Sequence, residues 1–327
     1  MPILSIAQIE DLSKAALMRH GAEDWIAASV AHAIGQAEAN GNKICGLYYL
    51  ESYCLQLKSG RVDGRAAPVV SRPRPGAVVV DAADGFSQPA FQRALPEALR
   101  AARENGTASL AIGHAHTCTS LGYFTAQIAR EGLIAFGMTN ATPVVAPPGG
   151  NKRVIGTNPM SFAVPDGQGG IAMLFDQSTT SIAMGKITMA KAAGQSIPQG
   201  WAVDKDGQPT TDPAAALAGS LVSSGGYKGW GFGLMAEILT AGMTGGLCSQ
   251  DVAPLKAPEG KPHDLGQYYL LIDPGVSDDF GARMARIAEG VARNEGARMP
   301  GQGKVLATEV SVEDAVWAQL QDLAGVA

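Results

Sequence analysis

The sequence lacks the features that direct a protein to an oxidising compartment, a membrane or nucleic acid. Its four cysteines (Cys45, Cys54, Cys118 and Cys248) are far apart and form no Cys-x-x-Cys pair, which predicts reduced thiols in a cytoplasmic protein. No apolar run reaches the roughly 20 residues that a membrane span needs, and the N-terminus lacks the basic and apolar regions of a secretory signal. A net charge of −5 provides no global positive field for nucleic acid or anionic lipid.

Apolar residues and glycine are what the chain has in quantity. Of its 327 residues, 46% are apolar, only 17% are charged, and 41 are glycine. This length and composition predict a well-buried enzyme with one large or two interleaved domains and many tight turns.

Helical and strand patterns are mixed along the chain without a regular β-α-β rhythm. Three helices are predicted to open the chain, the first after the N-cap Ser5, the second from about Glu23 and the third from Cys45. Later helices are predicted at 88–105, 120–130, 231–241 and 278–294. Strands are predicted at 69–70, 77–81, 109–113, 133–138, 161–164, 172–175 and 268–272, the first two of them buried.

Residues 132–165 form the most informative stretch of the sequence. Short apolar runs alternate there with turns rich in Gly, Asn, Thr and Pro. Such turns present backbone N–H groups and small polar side chains at strand ends, where ligands are usually held. The Gly-Thr-Asn-Pro at 156–159 is equally compatible with a plain connection between two strands.

This stretch resembles the signature of the malate/L-lactate dehydrogenase family, whose fold is not the Rossmann fold. The resemblance continues in the same order through residues 175–186, 197–204, 225–231 and 298–301 and covers nearly the whole chain. It implies an α/β fold with a mixed or antiparallel sheet, as in sulfolactate dehydrogenase. It also implies a homodimer with its cleft near the subunit interface.

The resemblance further implies a division of the chain into two regions. Residues 1–115 together with 225–327 would form a substrate and dimerisation region, and residues 116–224 an NAD(P)-binding region. A Rossmann fingerprint, G-x-G-x-x-A, is matched at 231–236, but the segment before it makes a poor strand. Its small residues are more typical of close helix packing.

Two functional positions of the family are altered in this sequence. The Ser-His-Gly that carries the family's proton-donating His corresponds here to Ile44-Cys45-Gly46, and Tyr49 replaces an Arg that helps to bind the substrate carboxylate. Cys45 can transfer a proton, although an unperturbed thiol pKa of about 8.5 makes it a different acid from imidazole. Its alternative role is that of a small packed residue at the start of a helix.

The family's second His is displaced by one residue. Here His116 precedes Thr117, which occupies the usual place, and His116 is the better catalytic candidate. His114 is expected in a surface loop or a structural hydrogen bond. If the strand end remains extended, the two His face the same side, but no third ligand accompanies them and no metal site is predicted.

Asp176 matches the family fully, at the end of an apolar run. A carboxylate there can orient an imidazole or bind an imine nitrogen. Its alternative role is to cap the segment around 181–186.

The resemblance implies a nicotinamide cofactor, NADPH or NADH. Lys186 and Lys228 look like phosphate-binding positions because glycines, Gly185 and Gly229, stand beside them; the alternative is two solvated lysines. Gly301 matches a glycine that lies close to the cofactor in relatives. The other positions implied to bind the cofactor are Asn140, Thr157, Asn158, Thr179 and Met184.

Residues 60–68 and 80–89 most resemble the cyclic imine reductases of the family, which reduce Δ1-piperideine-2-carboxylate to pipecolate and Δ1-pyrroline-2-carboxylate to proline. A protonated C=N is already electrophilic, so the loss of a His donor harms its reduction less than that of a keto acid. Two alternatives stay open. One is an NAD(P)-dependent 2-hydroxyacid dehydrogenase of the malate/lactate type; the other is a relative that binds cofactor but has lost catalysis.

Overall fold

The structure, a computed structural model, describes residues 1–326. Its α-helices in chain order are α1 Ile6–Arg19, α2 Asp24–Ala39, α3 Leu50–Ser59, α4 Ser87–Asn105, α5 Leu121–Arg130, α6 Met184–Ala192, α7 Pro213–Ala218, α8 Tyr227–Thr244, α9 Phe280–Ala292 and α10 Asp314–Ala324. The strands are β1 Ile3–Ser5, β2 Val69–Arg74, β3 Ala77–Asp81, β4 Thr107–Ala115, β5 Ile134–Thr139, β6 Met160–Pro165, β7 Ile171–Gln177, β8 Ala202–Val203, β9 Pro209–Thr210, β10 Ser220–Leu221, β11 Leu265–Ile272 and β12 Glu309–Ser311.

A seven-stranded sheet in the order β2-β3-β4-β11-β5-β6-β7 forms the centre of the molecule. Only β3 and β4 run parallel, and every other neighbouring pair is antiparallel. The predicted mixed α/β sheet is therefore confirmed. The mostly antiparallel sheet excludes a doubly wound Rossmann fold. The matched fingerprint at 231–236 excludes it as well, because these residues lie inside α8 and do not follow a strand.

Helices cover both faces of this sheet. On one face α4 and α5 bury an apolar core with aromatic contacts between Phe91, Phe124 and Tyr269. On the other face α8 crosses β4 and β11 closely, because a Cβ at Gly113 would overlap the Thr244 carbonyl and α8 could not approach. Of the small residues matched at 231–236, Gly233 and Ala236 are buried and serve packing as predicted, whereas Gly231 has open space around it.

A second core joins the beginning and the end of the chain. Ser5 caps α1 through a capping box with Gln8, as the N-cap prediction requires. β1 pairs antiparallel with β12, and α10 packs with α1 and α3. The strands β1 and β12 were not predicted, since a three-residue strand carries too short a pattern to detect, and the helix α10 was not predicted either.

A smaller unit with its own core holds three of the predicted cofactor residues, Met184, Gly185 and Lys186. It contains the three-stranded sheet β10-β8-β9 with α6 and α7, packed around Ile187 and Trp230. Strands β5 to β7 of the predicted cofactor region pair within the same sheet as β2 to β4. The central sheet thus runs across the boundary predicted at residue 116, and the functional division of the chain stays a prediction.

Two local predictions are wrong. The strand β2 is a sheet edge and not a buried strand, and Val69 is 64% exposed. Residues 45–57 do not form one helix. A 3-10 turn at Lys43–Cys45 is followed by a break at Gly46, where any Cβ would overlap the Glu38 carboxylate, and α3 begins only at Leu50. Within residues 1–326, no helix is both long and apolar enough to span a bilayer.

Candidate active site

A cavity of about 850 Å³ opens where the C-terminal end of α2, the first turns of α5, strand β7 and the loop around residues 298–306 meet. Asp176 and Gly301, two of the predicted site residues, line it. Its cations are Arg130, Arg298 and Lys304, and its neutral polar residues include Asn40, Asn42, Ser120 and Tyr123.

Asp176 projects into this cavity from the end of β7. Its Oδ2 accepts a hydrogen bond of 2.7 Å from the backbone N–H of Gly122, in the first turn of α5. A Cβ at Gly122 would lie 2.8 Å from the same oxygen, so only glycine allows the contact. The predicted alternative, a cap for 181–186, is not what the structure has, since α6 begins after Ala183 without a side-chain cap.

The environment of Asp176 favours its neutral form more than water would. Loss of hydration inside the cavity raises the pKa of the carboxyl group, and the Gly122 N–H lowers it by stabilising the carboxylate. The carboxylate therefore gains stability from any positive charge that a ligand brings to the cavity.

Cys45 lies near Asp176, in the 3-10 turn that follows α2. Burial and the negative charge of Asp176 together raise the pKa of the thiol to about 12, against a weaker effect of a hydrogen bond to Asn42. The half-buried Cys45 is therefore a neutral thiol at physiological pH. The structure brings these two predicted catalytic residues together.

Other weak acids surround Cys45. Burial raises the pKa of Tyr49 and of Cys118, and the neighbouring Cys45 raises both further. The Tyr49 and Tyr53 rings lie 5.5 Å apart. Of the described residues that line the cavity, none is a histidine.

His116 does not reach the cavity. It is 2% exposed, stacks on His263 with ring centroids 3.9 Å apart, and bonds through Nε2 to Gln56. Burial lowers the pKa of His116 well below its usual value. Its predicted catalytic role would require contact with substrate, which this packing does not provide.

The reason lies in the backbone at His114. Its φ of 52° turns the strand end, so that the two His do not face the same side as an extended strand would have them. The Nδ1 of His114 instead bonds to Asp264 at 2.8 Å. The structural hydrogen bond expected for His114 is present, and the shared face is not.

Two predicted phosphate positions begin helices. Gly185 and Lys186 lie in the first turn of α6, and Lys228 and Gly229 in the first turn of α8. Both lysines are exposed, and within the described chain neither side chain forms an ion pair or a hydrogen bond. The Ile44 Cδ1 lies 4.0 Å from where a Cβ of Gly185 would be, which brings the start of α6 beside the Cys45 turn.

The glycines differ in what they do. Gly185 has open space around it, whereas a Cβ at Gly229 would overlap the Ser224 backbone. Gly301 has a φ of +76°, and the preceding Pro300 carbonyl accepts a 2.9 Å bond from the Leu174 N–H, which ties this loop to β7. Gly229 and Gly301 thus have structural reasons to be glycine, independent of a cofactor.

The remaining predicted cofactor positions fall into two groups. Asn140 is buried and turned inward, because its Nδ2 donates to the Leu247 carbonyl at 2.7 Å and its Oδ1 accepts from the Gly266 N–H at 3.1 Å. Both ends are occupied by backbone, so the packing of Asn140 opposes its predicted role. Met184 begins α6, next to Gly185.

Thr157, Asn158 and Thr179 form one cluster against the middle of α8, at Gly233 and Glu237. The Thr157 carbonyl accepts 2.9 Å bonds from both the N–H and the hydroxyl of Thr179. Asn158 donates to Glu237 at 2.8 Å, and its buried Oδ1 has no partner among the described residues. An unpartnered buried acceptor is costly unless a ligand or water donates to it.

Several cavity residues were missed in the sequence. Arg298 is in one of the motifs that carry the resemblance, and its charge there was the available signal. Gly122, Arg130 and Lys304 carry no local signal, because only the tertiary fold brings them to the cavity.

The fold lies outside the Rossmann class, and the comparisons with known proteins identify an oxidoreductase. Residues 4–321 match the sequence profile of the malate/L-lactate dehydrogenase family. The chain is 39% identical over 303 residues to (2R)-3-sulfolactate dehydrogenase (NADP(+)) of Chromohalobacter salexigens, covering 91% of this chain and 90% of that protein. It is 37% identical over 322 residues to Δ1-pyrroline-2-carboxylate/Δ1-piperideine-2-carboxylate reductase of Pseudomonas putida, covering 98% of this chain and 94% of that protein.

A solved structure agrees with these sequence relatives. The crystal structure of Δ1-piperideine-2-carboxylate reductase from Pseudomonas syringae superposes with a TM-score of 0.91 at 32% identity, covering 99% of this chain and all of that one. The chain belongs to the malate/L-lactate dehydrogenase family.

Proposed function

We propose that the protein is an NAD(P)H-dependent reductase of a small cyclic imine carboxylate. Its substrate would be Δ1-pyrroline-2-carboxylate or Δ1-piperideine-2-carboxylate, and its product proline or pipecolate, which connects it with proline metabolism. The observation that carries the proposal is the carboxylate of Asp176 in a cavity that no described histidine lines, with the neutral thiol of Cys45 near that carboxylate. The names of the Pseudomonas relatives point to the same substrates.

Groups at the starts of α6 and α8 and at Asn158 fit a nicotinamide dinucleotide. Lys186 and Lys228 offer two ammonium groups at two helix N-termini, and a pyrophosphate is stabilised by such charges and by free backbone N–H groups. The unpartnered Oδ1 of Asn158 is an acceptor for a ligand donor. When bound, the reduced nicotinamide supplies the hydride.

Asp176 and Cys45 differ in what they contribute. The cyclic imine in its protonated form carries a positive nitrogen, and the Asp176 carboxylate stabilises that charge. Cys45 remains a thiol, so it adds no charge beside the nitrogen. No proton has to be transferred to a substrate that enters protonated.

The preferred cofactor is NADPH under this proposal. The sulfolactate dehydrogenase relative is named for NADP(+), which favours the phosphorylated cofactor. Comparing the Kd of NADPH with that of NADH by fluorescence titration tests the preference.

The first alternative is a 2-hydroxyacid dehydrogenase, which the name of the sulfolactate relative favours. The second is a cofactor-binding protein without catalysis, which the replacement of His by Cys45 and of Arg by Tyr49 favours. Following NADPH oxidation with both cyclic imines and with pyruvate, oxaloacetate and glyoxylate separates all three. Turnover of keto acids alone would reject the imine proposal, and NADPH binding without any turnover would favour the second alternative.

We further propose a homodimer that works in the cytoplasm. The outer side of α8 carries Phe232, Met235, Ile238 and Met243, each about half exposed or more, at helical spacing. A second copy would cover this stripe. The free state of all four cysteines suits the reducing cytoplasm. Light scattering that gives a monomer at micromolar concentration would reject the dimer.

A further inference from the structure

A lysine from a distant part of the chain rests on the tyrosines beside Cys45. The Lys256 Nζ lies 3.3 Å from the centroid of the Tyr48 ring and 4.5 Å from that of the Tyr49 ring. Within the described chain this ammonium makes no ion pair and no hydrogen bond, so the two rings are its partners. A cation held this way keeps its capacity to bind an anion.

The loop that carries Lys256 is held in place on both sides of it. The Gln56 Nε2 donates to the Leu255 carbonyl at 2.7 Å and to the Ala257 carbonyl at 2.9 Å. Two more side chains from this end of α3 continue the attachment: Ser59 donates to the Pro258 carbonyl at 2.7 Å, and Arg61 to the Ala257 carbonyl at 2.6 Å.

Such an attachment is unusual for a surface loop. Arg61 is 1% exposed, and its guanidinium also donates to the Pro254 and Lys261 carbonyls, at 2.9 and 2.8 Å. Breaking these bonds would leave a buried charge unpaired, so the loop is fixed with respect to α3. The Lys256 side chain is flexible by itself, but its backbone has one position above the tyrosines.

The charges near Cys45 match one kind of substrate. Asp176 acts on Cys45 from within the cavity, and Tyr49, which carries Lys256 on its ring, also borders Cys45. A protonated imine carboxylate has a positive nitrogen and a negative carboxylate on the adjacent carbon. A carboxylate next to the thiol, and an ammonium on the ring of the neighbouring Tyr49, are complementary to this zwitterion.

We infer that Lys256 binds the carboxylate of the substrate, with Tyr48 and Tyr49 as its platform. The inference rests on the proposed function and adds to it the residue that recognises the acid group. The competing cation is Arg298, which lines the cavity together with Asp176.

The experiment compares Lys256→Met, Lys256→Arg and Arg298→Met with Lys261→Met, which removes an exposed ammonium from the same loop. Each variant is titrated with pyrrole-2-carboxylate, a planar analogue of the substrate, in the presence of NADPH. Steady-state kinetics are measured with Δ1-pyrroline-2-carboxylate and with 1-pyrroline, which has no carboxylate. The Kd of NADPH serves as a check on the cofactor site.

Loss of a charge-assisted contact predicts that Lys256→Met raises the Kd of the analogue and the KM of the imine carboxylate about 10- to 100-fold. We expect kcat to change far less, the turnover of 1-pyrroline to stay the same, and the preference for the carboxylated imine to disappear. Lys256→Arg should retain most of the binding, and Lys261→Met should equal the wild type. A structural defect would instead lower the turnover of both imines.

An unchanged Kd of the analogue in Lys256→Met would overturn the inference, as would a loss of binding confined to Arg298→Met. The proposed function is tested separately, by wild-type turnover. A wild type that reduces only keto acids would reject the imine proposal, and the same variants on the keto acid would then decide the role of Lys256. A wild type that binds no 2-carboxylate ligand would overturn both.

Discussion

Replacing Asp176 by Asn tests the central claim about the site, because it removes one charge and little else. The Asn side-chain oxygen still accepts the 2.7 Å bond from Gly122, so the local fold is retained. Two opposite unit charges about 4 Å apart interact by about 4 kcal/mol at most near a protein surface. Losing about a third of that energy already lowers kcat/KM about tenfold.

We therefore expect Asp176→Asn to lower kcat/KM for Δ1-pyrroline-2-carboxylate by more than about tenfold. Cys45→Ala should be nearly silent, because a thiol whose pKa is about 12 donates no proton readily at neutral pH and the protonated substrate needs none. Stopped-flow or steady-state oxidation of NADPH on one cyclic imine measures both variants. Asp206→Asn, which removes an exposed carboxylate from the β8–β9 turn, is the matched control.

The opposite pattern would refute this reasoning. An inactive Cys45→Ala together with a fully active Asp176→Asn would mean that the thiol is the essential group. The role of Asp176 would then be limited to its structural hydrogen bond with α5. The Kd of NADPH should be unchanged in both variants, which separates a chemical effect from a loss of cofactor binding.

Three further outcomes are expected. Lys228→Ala should weaken NADPH binding by about 1 to 3 kcal/mol. The control Lys191→Ala, in the last turn of α6, should leave the Kd unchanged. Equal Kd values for the two variants would mean that Lys228 is a solvated lysine that does not contact the cofactor. Ile238→Lys should shift light scattering from dimer to monomer, and a persistent dimer would place the interface elsewhere. Burial lowers the pKa of His263 from 6.5 to about 3, so its contribution to stability is complete above pH 6.5 and is lost as the pH falls toward 3. The Tm should therefore decline over that window, and less steeply in His263→Gln.

Much of the fold is predictable because its elements are long and strongly patterned. The helix α4 follows from its apolar spacing, and α1 from Ser5 and its capping box. The order in which the strands pair cannot be predicted in the same way. The strand β11 lies between β4 and β5, about 150 residues from one and 130 from the other, and no local pattern specifies that insertion.

The sequence predicts which residues reach the cavity where their position at a strand end is sufficient. It does not predict this where the direction of the side chain decides. Asp176 ends an apolar strand, and that placement is enough to bring it to the cavity. His116 and Asn140 needed knowledge of side-chain direction, which depends on the left-handed backbone of His114 and on the start of β11 at Gly266. Lys256 has no local signal, because its role depends on bonds from Gln56 and Arg61 to a loop about 200 residues away.

Cysteine in place of histidine changes the charge of the site more than its acidity. An imidazolium at position 45 would stand beside Asp176 and compete with a cationic substrate nitrogen for the same carboxylate. The thiol is neutral throughout the physiological range, since burial and Asp176 both oppose its ionisation. The carboxylate is then free for the substrate. A keto acid gains nothing from this arrangement, because the oxygen that becomes negative during hydride addition would face a carboxylate and no ready proton donor. Under the proposed function, the same substitution would weaken the site for ketones and would suit it to a substrate that arrives with its proton.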